Sequence, residues 1–201
     1  MRKLIVLTFV TMDGVMQAPG GPEEDEDGKF TQGGWSVGYW DSVMDGVMTE
    51  QMGHPFDLVL GRRTYDIFAG YWPTSKEPGA DALNQAKKYV ASRTPKNLTW
   101  ENSVLLTGDI ATEIKKIKAQ TGPELQVHGS SNLNQTLLKN DLVDEFWLKI
   151  FPVTLGAGKR LFGSGTFPAS FKLLESKFSP TGVIVATYVR NGNIKIGSFA
   201  T

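Results

Sequence analysis

Four short segments combine glycine, hydroxyl side chains and cations in a way that suits an anionic ligand. They read Leu60-Gly61-Arg62-Arg63-Thr64, Ala91-Ser92-Arg93-Thr94, Leu106-Thr107-Gly108-Asp109 and Val127-His128-Gly129-Ser130-Ser131-Asn132. Glycine lets a backbone approach a ligand closely. Arginine makes bidentate contacts with phosphate. A helix start offers free N–H groups and the positive end of the helix dipole. Taken singly, each segment also has an ordinary meaning. Ser130 or Ser131 fits a plain N-cap. Arg62 and Arg63 fit a solvated first turn, and Ser92-Arg93-Thr94-Pro95 fits a loop. Together, at the carboxyl ends of successive strands, they point to a phosphate-bearing ligand along one edge of a sheet. Neither a Walker A motif nor G-x-G-x-x-G follows any strand, so a dinucleotide here is not held in the Rossmann manner. Gly156-Ala157-Gly158-Lys159-Arg160 resembles a phosphate loop, but no helical pattern follows it, and it reads as a turn between extended segments.

Proton handling needs an acid, and the candidates are Asp41 and Asp45. Trp40, Val43, Met44, Val47, Met48 and Met52 recur at helical spacing over about 37–52. On that wheel Asp41 falls between Met48 and Met52, and Asp45 lies at the edge of the same apolar arc. A carboxylate on an apolar face is costly without a partner or a task. Asp41 also fits a residue that complements the helix dipole, and Asp45 also fits an exposed rim position. His54 reads as a helix-end residue. His128 reads either as a ligand contact or as a hydrogen-bonded core histidine.

The elements that must position these groups alternate. An apolar strand over 4–11 precedes a glycine-rich loop over 12–35, whose acidic run Glu23-Glu24-Asp25-Glu26-Asp27 reads as a solvated tip. Gly53 and Pro55 end the first helix. Strands follow at 57–60, 88–91, 104–106 and 125–127, with helices from Thr64 to Phe68, over about 109–120 and over about 131–139. Such alternation implies a largely parallel sheet. The last part differs, with strands at 143–153, 171–178 and 182–190 and a turn at Pro180 to Gly182. Asn191-Gly192 then predicts a turn into a tail strand over 193–198. The fold class is α/β, read as one domain over 1–201.

Composition removes other classes. The chain has 201 residues, 21 Lys+Arg against 21 Asp+Glu, no cysteine and two histidines. Disulfides, thiolate zinc sites and cysteine nucleophiles are excluded, and so few histidines leave no histidine-rich metal site. A balanced charge argues against nucleic acid as a partner. No apolar run approaches the ~20 residues that span a bilayer, so no membrane partner is expected. Met1-Arg2-Lys3 before an apolar stretch imitates a secretion signal, but the stretch is short and Asp13 follows at once. The expectation is a first strand in a cytoplasmic protein.

At these residues the sequence resembles the C-terminal reductase domain of the bifunctional riboflavin-biosynthesis deaminase-reductase, within the dihydrofolate reductase-like fold. The carrying segments are Thr11-Met12-Asp13-Gly14-Val15, Gly61-Arg62-Arg63-Thr64-Tyr65, Ser92-Arg93-Thr94 and the block VHGSSNLNQTLLKNDLVDEFWLKIFPVTLGAGKRLF from Val127 to Phe162. The resemblance implies a three-layer fold, with a mixed, mostly parallel sheet flanked by helices and a C-terminal antiparallel hairpin. It implies NADPH as cofactor. Gly61, Arg62, Arg63 and Thr64 would meet the pyrophosphate, and Ser92, Arg93 and Thr94 the adenosine 2′-phosphate. Gly129, Ser130, Ser131, Asn132 and Leu133 would cover the pyrophosphate and nicotinamide side. Met12, Asp13 and Gly14 would lie over the nicotinamide, with 16–34 as a mobile lid, and Gly108 joins the cofactor-binding set. The zinc-binding deaminase domain of the riboflavin enzymes is missing from this sequence. Folate reductases place an acid on the first helix, and counting back from Gly61 puts Asp45 near that place, with Asp41 one turn earlier.

The implied activity is an NADPH-dependent reductase acting on a small heterocycle, of the 5-amino-6-(5-phosphoribosylamino)uracil reductase type. The alternatives are a dihydrofolate reductase, a non-catalytic nucleotide-binding protein and a flavin protein. Relatives of this kind pair as homodimers. The strand Phe146 to Phe151, apolar on both faces, fits a subunit contact and equally a fully buried strand.

Overall fold

The computed structural model describes residues 1–94 and 97–199. Its frame is an eight-stranded sheet in the order β4-β3-β2-β5-β1-β6-β8-β7. The strands are β1 (Leu4–Thr11), β2 (Phe56–Gly61), β3 (Lys88–Ala91), β4 (Ser103–Leu106), β5 (Glu124–His128), β6 (Glu145–Phe151), β7 (Phe171–Phe178) and β8 (Ile184–Arg190). β1 to β6 pair in parallel, and β8 and β7 add antiparallel pairs at one end. The apolar segment after Met1-Arg2-Lys3 is β1, a central strand between β5 and β6.

Helices α1 (Ser42–Met52), α2 (Arg62–Tyr71), α3 (Ala80–Gln85), α4 (Ile110–Ala119) and α5 (Ser131–Lys139) cover both faces. Side-chain alternation along the strands assigns the faces. Leu4, Val6, Val59, Leu125, Val127, Phe146 and Leu148 pack with Ile114 and Ile117 of α4 and with Leu133 and Leu137 of α5. On the opposite face, Leu58 and Leu60 pack with Tyr65 of α2 and Leu83 of α3. Phe9, Phe151 and Val185 pack there against Met44 and Val47 of α1.

This arrangement has a consequence for binding. β2 and β5 are hydrogen-bonded neighbours. The chain leaves β2 toward one face as α2 and leaves β5 toward the other as α5. Neighbouring parallel strands whose connections diverge leave a crevice outside their carboxyl ends. The N-termini of α2 and α5 border it.

Several expectations are corrected. The helix over 37–52 is broken, with a 3-10 turn at Val37–Tyr39 followed by α1 from Ser42. Asp41 lies between them in extended conformation, and its side chain caps α1. The second helix starts at Arg62, two residues before Thr64, because Gly61 already turns the chain. α3 has six residues, too few to leave a periodic signature. The tail over 193–198 forms no strand. β8 already has β6 and β7 on its two edges, so a chain reversing at Asn191-Gly192 finds no open edge beside it. Phe146 to Phe151 belongs to β6, which lies inside the sheet between β1 and β8, and Phe146, Leu148 and Phe151 are buried. Among the described residues no helix is long and apolar enough to cross a membrane.

Candidate active site

The crevice opens into a cleft of about 1440 Å³. One half is a rim built from strand ends and helix starts. Gly61, Arg62, Arg63, Thr64, Ser92, Arg93, Thr94, Gly108, Gly129, Ser130, Ser131, Asn132 and Leu133 all line it. Segments as far apart in sequence as Gly61 and Ser130 are bonded there, because the Gly61 N–H donates to the Ser130 hydroxyl at 2.8 Å. That hydroxyl donates to Thr64 Oγ1, also at 2.8 Å. A Cβ at position 61 would sit 3.0 Å from Ser130 Oγ and 3.1 Å from its Cβ, so a side chain here would crowd Ser130.

Gly129 and Ser130 both have positive φ, +59° and +65°. Such a conformation is unfavourable for serine and persists only when its surroundings fix it. Here the bonds to Gly61 and Thr64 fix it. Ser130 does occupy the N-cap position of α5, but its hydroxyl is spent across the crevice and makes no cap bond. The N-cap of α2 is Gly61, which has no side chain to cap with. Two helix starts therefore face one cleft with first-turn N–H groups that no side chain caps. Arg62 Nη1 is buried without a hydrogen-bond partner, while Nε and Nη2 of Arg62 hold Asp66. Pro95, the last residue of the Ser92-Arg93-Thr94-Pro95 segment, lies outside the described residues.

Met12, Asp13 and Gly14 do not line the cleft. Asp13 instead anchors the segment after β6. It accepts from Thr11 Oγ1 at 2.6 Å and from the Leu155 and Gly156 N–H groups. These bonds, the Thr11 hydroxyl first, hold its carboxyl at about 2. Gly156 to Arg160 makes a turn as read from the sequence, and Arg160 forms an isolated β-bridge with Val15.

The loop over 16–34 is organised about buried Gln17. Its side chain donates to the Asp25 and Asp27 carbonyls and accepts from the Lys159 N–H, and its carbonyl accepts from Trp35 Nε1. Glu23, Glu26 and Asp27 are exposed, as expected of a solvated tip, whereas Glu24 and Asp25 are partly buried, which corrects the reading for those two. Asp25 is ion-paired to Arg63 at 3.2 Å and to Lys159 at 2.8 Å, and Asp27 to Lys159 at 2.9 Å. Glu24, Asp25 and Asp27 line the cleft. Burial pushes the Glu24 carboxyl up.

The other half of the cleft is an arm between α1 and α2. Met44, Val47 and Gln51 form the sheet-facing stripe of α1. Asp45, Met48, Thr49 and Met52 form the neighbouring stripe and face the cleft. Apolar character alone assigned Met48 and Met52 to the core, because nothing in the sequence marks Gln51 as buried. Asp45 Oδ1 accepts from Trp40 Nε1 at 2.6 Å. Asp41 does not line the cleft. It caps α1 through bonds from the Val43 and Met44 N–H groups, and the Ser179 hydroxyl does most to lower its pKa.

His128 is buried and lines the cleft floor beside Phe68, with ring centroids 6.0 Å apart. Its Nε2 lies 3.0 Å from Gln126 Oε1. The Gln126 amide nitrogen donates to the Gln51 carbonyl and to Glu124. Both are acceptors, so the amide orientation is settled and Nε2 of His128 carries the hydrogen. Burial and, secondarily, the nearby Lys149 lower His128 to about 3. The ring is neutral at ordinary pH and is no proton donor of the imidazolium kind. Sequence reasoning missed Lys149. It is fully buried in β6 under α1, bonded to Gln51 Oε1, and burial lowers it to about 7. A lysine inside an apolar strand leaves no signal of its environment in the sequence.

Comparison with known proteins agrees with this geometry. A Bacillus subtilis (strain 168) protein described as uncharacterized, YyaP, is 27% identical over 198 residues, covering 95% of this chain and 96% of its own length. The crystal structure of a putative riboflavin biosynthesis protein from Shewanella sp. PV-4 superposes with a TM-score of 0.72 at 25% identity, covering 94% of this chain and 99% of that one. Dihydrofolate reductase from Enterococcus faecalis, in a complex with NADP(H), superposes with a TM-score of 0.60 at 15% identity, covering 94% and 96%. The fold is dihydrofolate reductase-like. Residues 2–185 match the RibD C-terminal domain, and the chain belongs to that family.

Proposed function

We propose that this protein is a reductase that uses NADPH to reduce a small, flat nitrogen heterocycle. The observation that carries the reading is the convergence of two helix starts, neither capped by a side chain, with Arg62, Arg63 and Arg93 on one rim. Free N–H groups and guanidinium groups so arranged fit a diphosphate and a further phosphate. The orphaned Nη1 of Arg62 supports the same chemistry. NADPH, when bound, supplies the hydride.

The chain's own residues do the rest. The starts of α2 and α5 hold the phosphates. Arg93, which has no ion-pair partner among the described residues, is exposed and suited to the 2′-phosphate. Trp40 fixes one oxygen of Asp45, which leaves Oδ2 to accept an N–H from a ring in the arm. The loop over 16–34 screens the cleft from water.

The test is titration of NADPH fluorescence. Wild-type protein is expected to bind at micromolar concentrations, and Arg93→Ala to weaken NADPH about tenfold while leaving NADH nearly unchanged. No binding at near-millimolar NADPH overturns the reading.

The pairing of Trp40 with Asp45 on the first helix favours a second reading, a dihydrofolate reductase. Dihydrofolate-dependent NADPH oxidation, lost in Asp45→Asn, would select it over the riboflavin-type reaction.

A further inference from the structure

The cofactor reading uses the rim and leaves the arm to the substrate. The arm is walled by Asp45, Met48 and Met52 of α1, by Phe9 of β1, by Phe68 of α2 and by Trp72 at its C-cap. Glu77 and Pro78 also line the cleft. The parts are in mutual contact. Trp40 lies 5.8 Å from Phe9, and Phe68 packs edge-on against Trp72. Met52 reaches Gly79, where a Cβ would lie 2.5 Å from its terminal methyl. Trp40 is 40% exposed and Ile67 37%. Uncovered apolar walls around a concave space mark a binding surface for an apolar, flat group.

Carboxylates line both halves of the cleft, but its cations lie on the rim and lid side. Its cations are Arg62 and Arg63 on the first turn of α2, Arg93 after β3, and Lys159 on the lid side. Arg62 is held by Asp66, and Arg63 and Lys159 are held by Asp25. In the arm the charged groups are carboxylates. Asp45 faces the space with one oxygen unengaged by protein, and Glu77 accepts from Tyr71 Oη at 2.5 Å. Among the described residues no lysine or arginine lines this half. An anion placed here would meet like charge and no partner, which selects against it.

Resting on the reductase reading above, we propose that the arm takes a flat nitrogen heterocycle whose appended group carries neither phosphate nor carboxylate. The substrate therefore differs from a phosphoribosyl-bearing pyrimidine and from a folate with its glutamate tail. Asp45 Oδ2 accepts from ring N–H donors, the aromatic walls take the ring faces, and Glu77 repels an anionic tail.

The experiment uses two matched pairs of probes, with binding measured on the whole protein with and without saturating NADPH. One pair is 5-amino-6-(ribosylamino)uracil and its 5′-phosphate. The other is dihydrobiopterin and dihydrofolate. The member without the anion is expected to bind at least about tenfold tighter in each pair. Equal or reversed affinities in either pair overturn the proposal, and so does the absence of binding by every probe at millimolar concentration. Glu77→Lys is expected to shrink the preference about tenfold, with Glu77→Gln intermediate, and a preference unmoved by both overturns the assignment of the arm. A protein that discriminates the pairs yet fails to bind NADPH refutes the cofactor reading and leaves this one standing. One that binds NADPH without discriminating does the reverse.

Discussion

The two halves of the cleft are built on different principles. The rim is backbone: glycines, helix starts and a strained serine, joined by short bonds between strand ends that the sheet brings side by side. The arm is side chain: a stripe of α1, the second half of α2 and a loop edge, with aromatic faces and carboxylates. The rim offers the same donors to any molecule with the right phosphates, whatever else that molecule carries. The arm recognises shape and local charge, so it can change with a few substitutions while the rim stays as it is.

The comparison can be broken most forcefully at Gly61. Gly61→Val places a branched side chain against Ser130 where even a single Cβ is crowded. NADPH affinity is expected to fall roughly 100-fold, with the binding of a heterocycle to the arm changed far less. Fluorescence titration of both ligands on the same variant measures this. Equal losses would mean that rim and arm are one unit.

A second test concerns what lies beneath the arm. Lys149 carries a proton in the unfolded chain up to about 10.5 but in the folded protein only up to about 7. Between those values the unfolded state binds more protons, so stability rises with pH. Below about 7 both states are charged and the cost of burial is at its full size. Lys149→Met is expected to stabilise the protein by about 2 kcal/mol at pH 6, and the gain to shrink as pH approaches 10. Urea unfolding across that range checks it. His128 acts at the other end. Its folded value of about 3 lies below the ordinary 6.5, so its contribution is complete above 6.5 and is lost as pH falls toward 3.

The smallest effect sharpens the distinction between the two acids of the first helix. Asp41→Ala removes a cap and is expected to lower the melting temperature by about 3 °C without changing NADPH oxidation. Asp45→Asn is expected to act on turnover and leave melting nearly unmoved. Thermal unfolding beside steady-state rates separates them, and a catalytic defect in Asp41→Ala would return that residue to the site.

What was legible in the sequence was what depends on neighbours along the chain. The alternation of short apolar strands with helices, the glycine turns at Gly61, Gly108 and Gly129, and the hydroxyl and arginine residues beside them are local signals. They located all eight strands to within two residues, and failed only in adding a ninth over 193–198. Asp41 and Asp45 were both visible as acids in an apolar pattern, but the sequence could not separate them. The difference is whether the chain enters α1 before or after Trp40, which the packing of Tyr39 and Phe9 on Phe151 decides.

The acidic run shows the limit from the other side. Five consecutive carboxyl-bearing residues read as solvated because nothing nearby in sequence neutralises them. Arg63 and Lys159, far away along the chain, hold Asp25 inward, while Glu23, Glu26 and Asp27 stay exposed. The sequence by itself determined the order of elements and the backbone chemistry of the rim, since turn geometry and helix starts depend on a handful of adjacent residues. Only the tertiary structure decided that α2 and α5 leave neighbouring strands toward opposite faces, that Gln51 rather than Met48 points at the sheet, and that the arm holds carboxylates without cations. These are outcomes of packing between segments distant along the chain, where the balance of burial and charge is set by partners no local pattern names.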